Sequence, residues 1–231
     1  MWERQLALSD RGWRVIAPQF RGFDDGSGDP PAQSIDDYAG DVVDLLDALH
    51  IHEAVVGGLS MGGYIAFALL RHAARYVHGL ILADTKAQAD TPEGVEGRKR
   101  MIELVANSGP GAVAEEMLPK LLGETTRRTR PDLVQLVREL ANSSSTAAIT
   151  GALRALMTRP DSTPQLSTIH VPTLIIVGGE DTVTPRAAAE DMHRGIAGST
   201  LIAIPEAGHL SNLEQPDTFD AAIASFLDHR V

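Results

Sequence analysis

Short apolar runs rich in β-branched residues recur along this chain, each separated from the next by enough residues for a helix. They are Trp13 to Ala17, Ala54 to Gly57, Gly79 to Ala83, Pro172 to Val177 and Thr200 to Ile204. None alternates with polar residues, and such runs suit strands buried on both faces of a parallel sheet. Parallel strands need long crossovers, so the spacing predicts an α/β fold. Ile35 to Leu49 fits one crossover helix, with Tyr38, Val42, Leu45, Leu46 and Leu49 on one stripe and aspartates mostly on the other. The early aspartates favour a helix N-terminus, and the apolar stripe faces the sheet. Behind Pro216, the residues Phe219, Ala222, Ile223, Phe226 and Leu227 predict a similar closing helix.

Between Lys86 and about Ser167 the strand pattern stops and helical patterns replace it. Leu133, Val134, Leu136, Val137 and Leu140 form a stripe just behind Pro131, and Ile149, Leu153, Leu156 and Met157 form another. Arg98 to Asn107 and Gly111 to Leu122 also read as helices, the second broken at Pro119. The pattern predicts an α-helical cap over 86–167, inserted into a core made of 1–85 and 168–231. Asn142 to Ser145 reads as a polar loop and the Asp24-Asp25 pair as a turn.

The chain has 231 residues, 43% of them hydrophobic, and no cysteine. A soluble fold of this size buries roughly 70–75% of its unfolded surface, enough for a continuous core without disulfide or metal. A formal charge of −11 opposes nucleic acid and anionic membrane surfaces as partners, because no basic excess exists to neutralise phosphates. No basic leader precedes an apolar stretch and no run approaches the roughly 18 apolar residues of a membrane span, so a cytoplasmic protein is expected. No HExxH, clustered Cys/His set or strand-borne Gly-x-Gly-x-x-Gly occurs, and no metal or organic cofactor is expected.

The strongest local signal is Val55-Val56-Gly57-Gly58-Leu59-Ser60-Met61-Gly62-Gly63, followed by the helical Tyr64 to Leu70. A Gly-x-Ser-x-Gly turn between a strand and a helix forces the serine into an exposed, strained elbow. The Met61 N–H and the positive end of the following helix are then placed to hold an oxyanion. A serine hydroxyl is a poor nucleophile at neutral pH, so this reading needs a histidine base and an orienting carboxylate. Of eight histidines, only His209 lies in the turn directly after the last expected strand, in Ile204-Pro205-Glu206-Ala207-Gly208-His209, at the sheet edge where ligands gather. Asp181 follows the penultimate strand in Val177-Gly178-Gly179-Glu180-Asp181 and is the favoured acid. Glu180 reads as its solvated neighbour, and Asp84, just after the third run, is the rival acid.

These residues resemble the α/β-hydrolase superfamily over nearly the whole chain, in the branch of small carboxylesterases, 3-oxoadipate enol-lactonase-like enzymes and cofactor-free haloperoxidases. Gly58 to Gly62 match its nucleophile elbow, Gly178 to Asp181 its acid loop and Ala207 to Leu210 its histidine loop. Val15 to Phe23 is similar to its Arg-Gly segment, although Gln19 stands where an aspartate is usual. The resemblance implies an α/β-hydrolase fold with a helical cap and a Ser60, Asp181, His209 order along the chain. It also implies front strands and a His-Gly loop with a second oxyanion donor, which this sequence does not contain; Met1-Trp2 aligns with the helix after that loop. A shortened sheet of about five strands is therefore expected, with Trp13 to Ala17 closing up on Ala54 to Gly57. If these strands stay apart, an open edge favours a homo-oligomer. Loss of one oxyanion donor typically costs about 10²–10³ in turnover, so weak activity is expected.

The resulting expectation is a serine carboxylesterase acting on small, short-chain esters. An enol-lactone hydrolase of the same fold is the alternative and would need a cap cation for the substrate carboxylate, from Arg127, Arg128 and Arg130 or from Arg98 and Arg100. A non-catalytic ligand-binding remnant is the reading from a different class.

Overall fold

The computed structural model describes residues 1–23 and 31–231. Asp24 and Asp25 lie outside the described residues. The described chain builds a four-stranded sheet with β1 (Ala54–Leu59), β2 (Val77–Ala83), β3 (Thr173–Gly178) and β4 (Thr200–Ile204) in that spatial order. Every pairing is parallel. Helix α1 (Ile35–Ala48) precedes β1, α2 (Met61–His72) joins β1 to β2, and α7 (Arg186–Gly195) joins β3 to β4. Two helices, α8 (Ser211–Glu214) and α9 (Pro216–Arg230), follow β4.

The two central strands, β2 and β3, bury both faces, as their unbroken apolar runs require. Ile81, Ala83, Leu174 and Ile176 join the α9 residues Phe219, Ile223 and Phe226 on one face. Leu80, Leu82, Ile175 and Val177 join Phe67 of α2 and Ala189 and Met192 of α7 on the other. Each such side chain taken from water contributes roughly 1.5–3 kcal/mol, which makes β2 and β3 the anchor of the fold. Helix α1 begins at Ser34, whose hydroxyl accepts from the Asp37 N–H while the Asp37 carboxylate accepts from the Ser34 N–H. That reciprocal capping box fixes where the helix starts, and its Tyr38, Ala39 and Leu46 pack beside Tyr64 and Leu69 of α2.

The connection from β2 to β3 carries α3 (Pro92–Leu121), α4 (Glu124–Thr129), α5 (Pro131–Asn142) and α6 (Thr146–Thr158), a helical cap. The expected break at Pro119 does not occur, and the interruption lies at Gly109, with φ +78°, immediately before Pro110. Gly109 takes a backbone conformation that side chains resist, and the helix restarts with Pro110 in its first turn, where no N–H is needed; Pro119 gives up one N–H bond without interrupting the helix. Leu118, Leu122, Leu133 and Val137 turn inward and share the α9-side core with Leu59, Ile204 and Leu210.

The expected fifth strand is not formed among the described residues. Trp13 to Ala17 forms no strand, and β1 pairs only with β2. Trp13 packs on the α9-side core, while Phe20 meets the Tyr38 ring edge-on at 5.2 Å on the opposite side. The segment therefore contacts both faces of the sheet without pairing into it. Its apolar pattern suits a strand, but pairing also requires a neighbouring edge in register, which local pattern does not encode. Among the described residues, no helix is long and apolar enough to cross a membrane.

Candidate active site

The C-terminal ends of β1, β2, β3 and β4 bring the singled-out residues together. Ser60 follows β1 with φ +53° and ψ −112° and stands immediately before α2, which opens at Met61. A non-glycine residue at positive φ is strained, and the surroundings must hold it there. They do so by close packing: a Cβ on Gly58 would run into the Gly62 backbone, and one on Gly63 would lie 2.5 Å from Thr85. The Ser60 N–H donates to the Ala83 carbonyl at 2.9 Å, and the Thr85 hydroxyl donates to the Ser60 carbonyl at 2.8 Å. The elbow is thus bonded on both sides to the end of β2.

His209, only 2% exposed, lies between this serine and Asp181. Its Nε2 is 2.8 Å from Ser60 Oγ, and its Nδ1 is 2.9 Å from Asp181 Oδ2. Asp181 Oδ1 accepts from the N–H groups of Val183 at 2.7 Å and Thr184 at 3.0 Å, while Oδ2 also accepts from the Thr184 hydroxyl at 2.6 Å. Burial alone would raise the Asp181 pKa. The hydrogen bond and charge of His209, with the Thr184 donors, outweigh it and hold the carboxyl below its usual value. An ionised Asp181 offers only acceptors, so the hydrogen between the two groups belongs to His209 Nδ1. Nε2 then presents its lone pair to the Ser60 hydroxyl.

Asp84 occupies the same sheet edge but has other partners. It is completely buried, with φ +43°; Oδ1 accepts from the Gly178 N–H at 2.7 Å, and Oδ2 accepts from the Ser211 hydroxyl. Burial pushes its pKa up to about 7 against the Ser211 and Gly178 hydrogen bonds and the charge of His209. It ties the end of β3 to the segment after His209, and the His209 ring faces Asp181 instead. Glu180, expected as a solvated neighbour, binds the Thr125 N–H at 2.9 Å and the Thr125 hydroxyl at 2.5 Å.

The cap cations are largely committed elsewhere. Arg98 and Arg159 both pair with Asp90, and the Arg159 guanidinium also lies 4.2 Å over the Tyr64 ring. Arg130 pairs with Asp132, and Arg127 donates to the Leu122 carbonyl at 3.3 Å. Thr184, Ser211 and Glu214 are the site-supporting residues that the sequence reading did not single out. Thr184 carried a readable signal, since an aspartate followed closely by polar loop residues is the setting for side-chain bonds to its own downstream backbone. Ser211 bonds to the distant Asp84, and Glu214 joins its near neighbours Gly208 and Leu210 to the distant Gly123; neither carried a readable signal.

Residues 1–222 match the family model described as alpha/beta hydrolase family. The chain belongs to that family. It is 30% identical over 227 residues to 3-oxoadipate enol-lactonase 2 of Acinetobacter baylyi, covering 98% of this chain and 83% of that enzyme. Among solved structures it is similar to a thermophilic esterase from Thermogutta terrifontis, with a TM-score of 0.94, 38% identity, and coverage of 98% of this chain and 84% of that one. It is also similar to the enol-lactonase of Burkholderia xenovorans, with a TM-score of 0.89, 27% identity, and coverage of 99% and 86%. The α/β-hydrolase fold expected from the elbow and loop motifs agrees with these matches.

Proposed function

We propose that this protein is a serine hydrolase that cleaves small carboxylic esters through an acyl-enzyme. Ser60 attacks the ester carbonyl as His209 Nε2 takes its proton, and the imidazolium then passes that proton to the departing alkoxide. Asp181 holds the required tautomer and offsets the positive charge on the ring. The Met61 N–H, at the positive end of α2, faces the developing oxyanion. Water completes the cycle: His209 takes its proton, the resulting hydroxide attacks the acyl carbon, and Ser60 regains its hydrogen as the acid leaves.

The observation that carries this reading is the continuous Asp181, His209 and Ser60 hydrogen-bond chain ending on a serine at positive φ. Such strain is retained where the surrounding structure enforces it, and a ligand-binding remnant has no need of it. The esterase and enol-lactonase names of the relatives support the same bond class. A neutral ester is favoured over a carboxylate-bearing lactone because Arg98 and Arg130, two cations available to the lactone reading, are paired with Asp90 and Asp132. The test is labelling by a fluorophosphonate together with turnover of short p-nitrophenyl esters, in wild type and Ser60→Ala. Both signals are expected to disappear in the variant, and labelling that persists there would reject the assignment.

A further inference from the structure

Glu214 is a buried carboxylate that the proposed reaction does not use, and it sits where the cap meets the histidine loop. It is 4% exposed and ends α8, five residues after His209. Oε1 accepts from the N–H groups of Gly208 at 2.9 Å and Leu210 at 3.2 Å, the residues on either side of His209. Oε2 accepts from the N–H of Gly123, in the turn between α3 and α4 of the cap, at 2.8 Å. The His209 N–H itself donates to the carbonyl of Leu121, from the same cap segment, at 3.0 Å. Three consecutive N–H groups, from 208 to 210, are thus bonded either to Glu214 or to the cap. A carboxylate taken from water is tolerated when several donors replace its hydration, and hydrogen bonds to a charged group are roughly twice as strong as neutral ones. This junction is therefore rigid at the point from which the imidazole hangs.

We propose that Glu214 is a positioning residue for His209, and that through it the cap turn 121–123 holds the base in line with Ser60 and Asp181. The proposal rests on the serine-hydrolase reading above. It gives the cap a second task beyond covering the site: the cap fixes the base from behind without touching substrate. Glu180 reinforces the same junction, because its N–H donates to Ala207 at 2.7 Å while its carboxylate holds Thr125.

The test uses the whole chain and compares wild type with Glu214→Gln. The amide keeps the shape but offers one acceptor where two are needed, so either Gly123 or the 208/210 pair loses its partner. We expect kcat for a short ester to fall at least tenfold with KM within twofold, and exchange of the His209 Nδ1 proton, followed by NMR, to accelerate at least tenfold. A folded variant with wild-type kcat and unchanged Nδ1 exchange would overturn the proposal. Should the variant not fold, amide exchange in the wild type decides: Gly123, Gly208, His209 and Leu210 should open as one unit with matching protection. Independent, faster exchange at Gly123 would reject the coupling. These exchange readouts need no turnover, so absence of Ser60 labelling in wild type would reject the enzymatic reading separately from the Glu214 tie.

Discussion

Strands β3 and β1 contrast within one sheet. All six residues of β3 are buried between β2 and β4, whereas only the last two of β1 are. The N-terminal segment packs on α9, with the Trp2 and Phe219 rings 6.2 Å apart and the buried Gln5 donating to Asp220 at 2.7 Å. Its eight-residue 3₁₀ helix, Arg4–Arg11, exceeds the usual three or four residues, and exposed ion pairs from Arg4 to Asp217 and Arg11 to Asp228 hold it to α9. Exposed pairs contribute about 0–1 kcal/mol each. Asp181 hangs from fully buried β3, whereas Ser60 and His209 follow the edge strands β1 and β4, each buried only at its C-terminal end. Burial in this sheet is thus concentrated in its central strands and at the C-terminal edge where the site residues emerge.

The largest test of that contrast separates the two acids. Asp181→Asn should lower kcat for a short ester on the order of 10³–10⁴-fold, because an amide supports the wrong histidine tautomer. Asp84→Asn should cost about tenfold or less, since its side chain holds Ser211 and Gly178 and not the ring. Equal losses in steady-state kinetics would break the distinction.

Stability should divide the same way. Leu174→Ala, in fully buried β3, is expected to cost about 2–5 kcal/mol. Val55→Ala, in half-buried β1, should cost about 1 kcal/mol by urea unfolding, since less area is returned to water. The pH dependence follows from Asp84. Its pKa is raised to about 7 by burial, so the native state keeps a proton that the unfolded chain releases. Its stabilising contribution is complete below the usual aspartate range and is lost as pH rises through about 7. Asp84→Asn should flatten the stability profile between about pH 4 and 7, by no more than about 4 kcal/mol. Asp181 acts with the opposite sign, since its pKa is lowered and its contribution fades as pH falls below the usual carboxylate range. The smallest expected effect is that of Ile16→Thr, on the unpaired outer segment, within about ±0.5 kcal/mol in the same unfolding measurement.

The elbow and the two loops were legible in the sequence because their signals are local. Glycines flanking a serine between an apolar run and a helix prescribe a turn, and a polar loop directly after a buried strand must emerge at the sheet edge. Thr200 to Ile204 is a strand with the bounds its apolar run suggested, and the other three paired strands differ only at their ends. Trp13 to Ala17 looked equivalent, yet strand pairing is a relation between two segments and its own residues cannot supply the second. Pro119 misled because a single lost N–H bond need not interrupt a helix, whereas Gly109 before Pro110 does.

By itself the sequence determined the α/β class, the parallel strands, the helical connection between β2 and β3, and the residue types gathered at one edge. Their rank was decided only by tertiary structure. Asp181 and Asp84 both follow buried strands at the same edge, and only the packing of the loops turns His209 toward one and gives the other to Ser211 and Gly178. Glu214 reads as one more acidic residue on a short helix until Gly123, distant in the chain, brings its N–H to it. Hydrophobic periodicity and turn chemistry act over a few residues, whereas the partner of a buried carboxylate is fixed by which backbone groups the folded core leaves within reach.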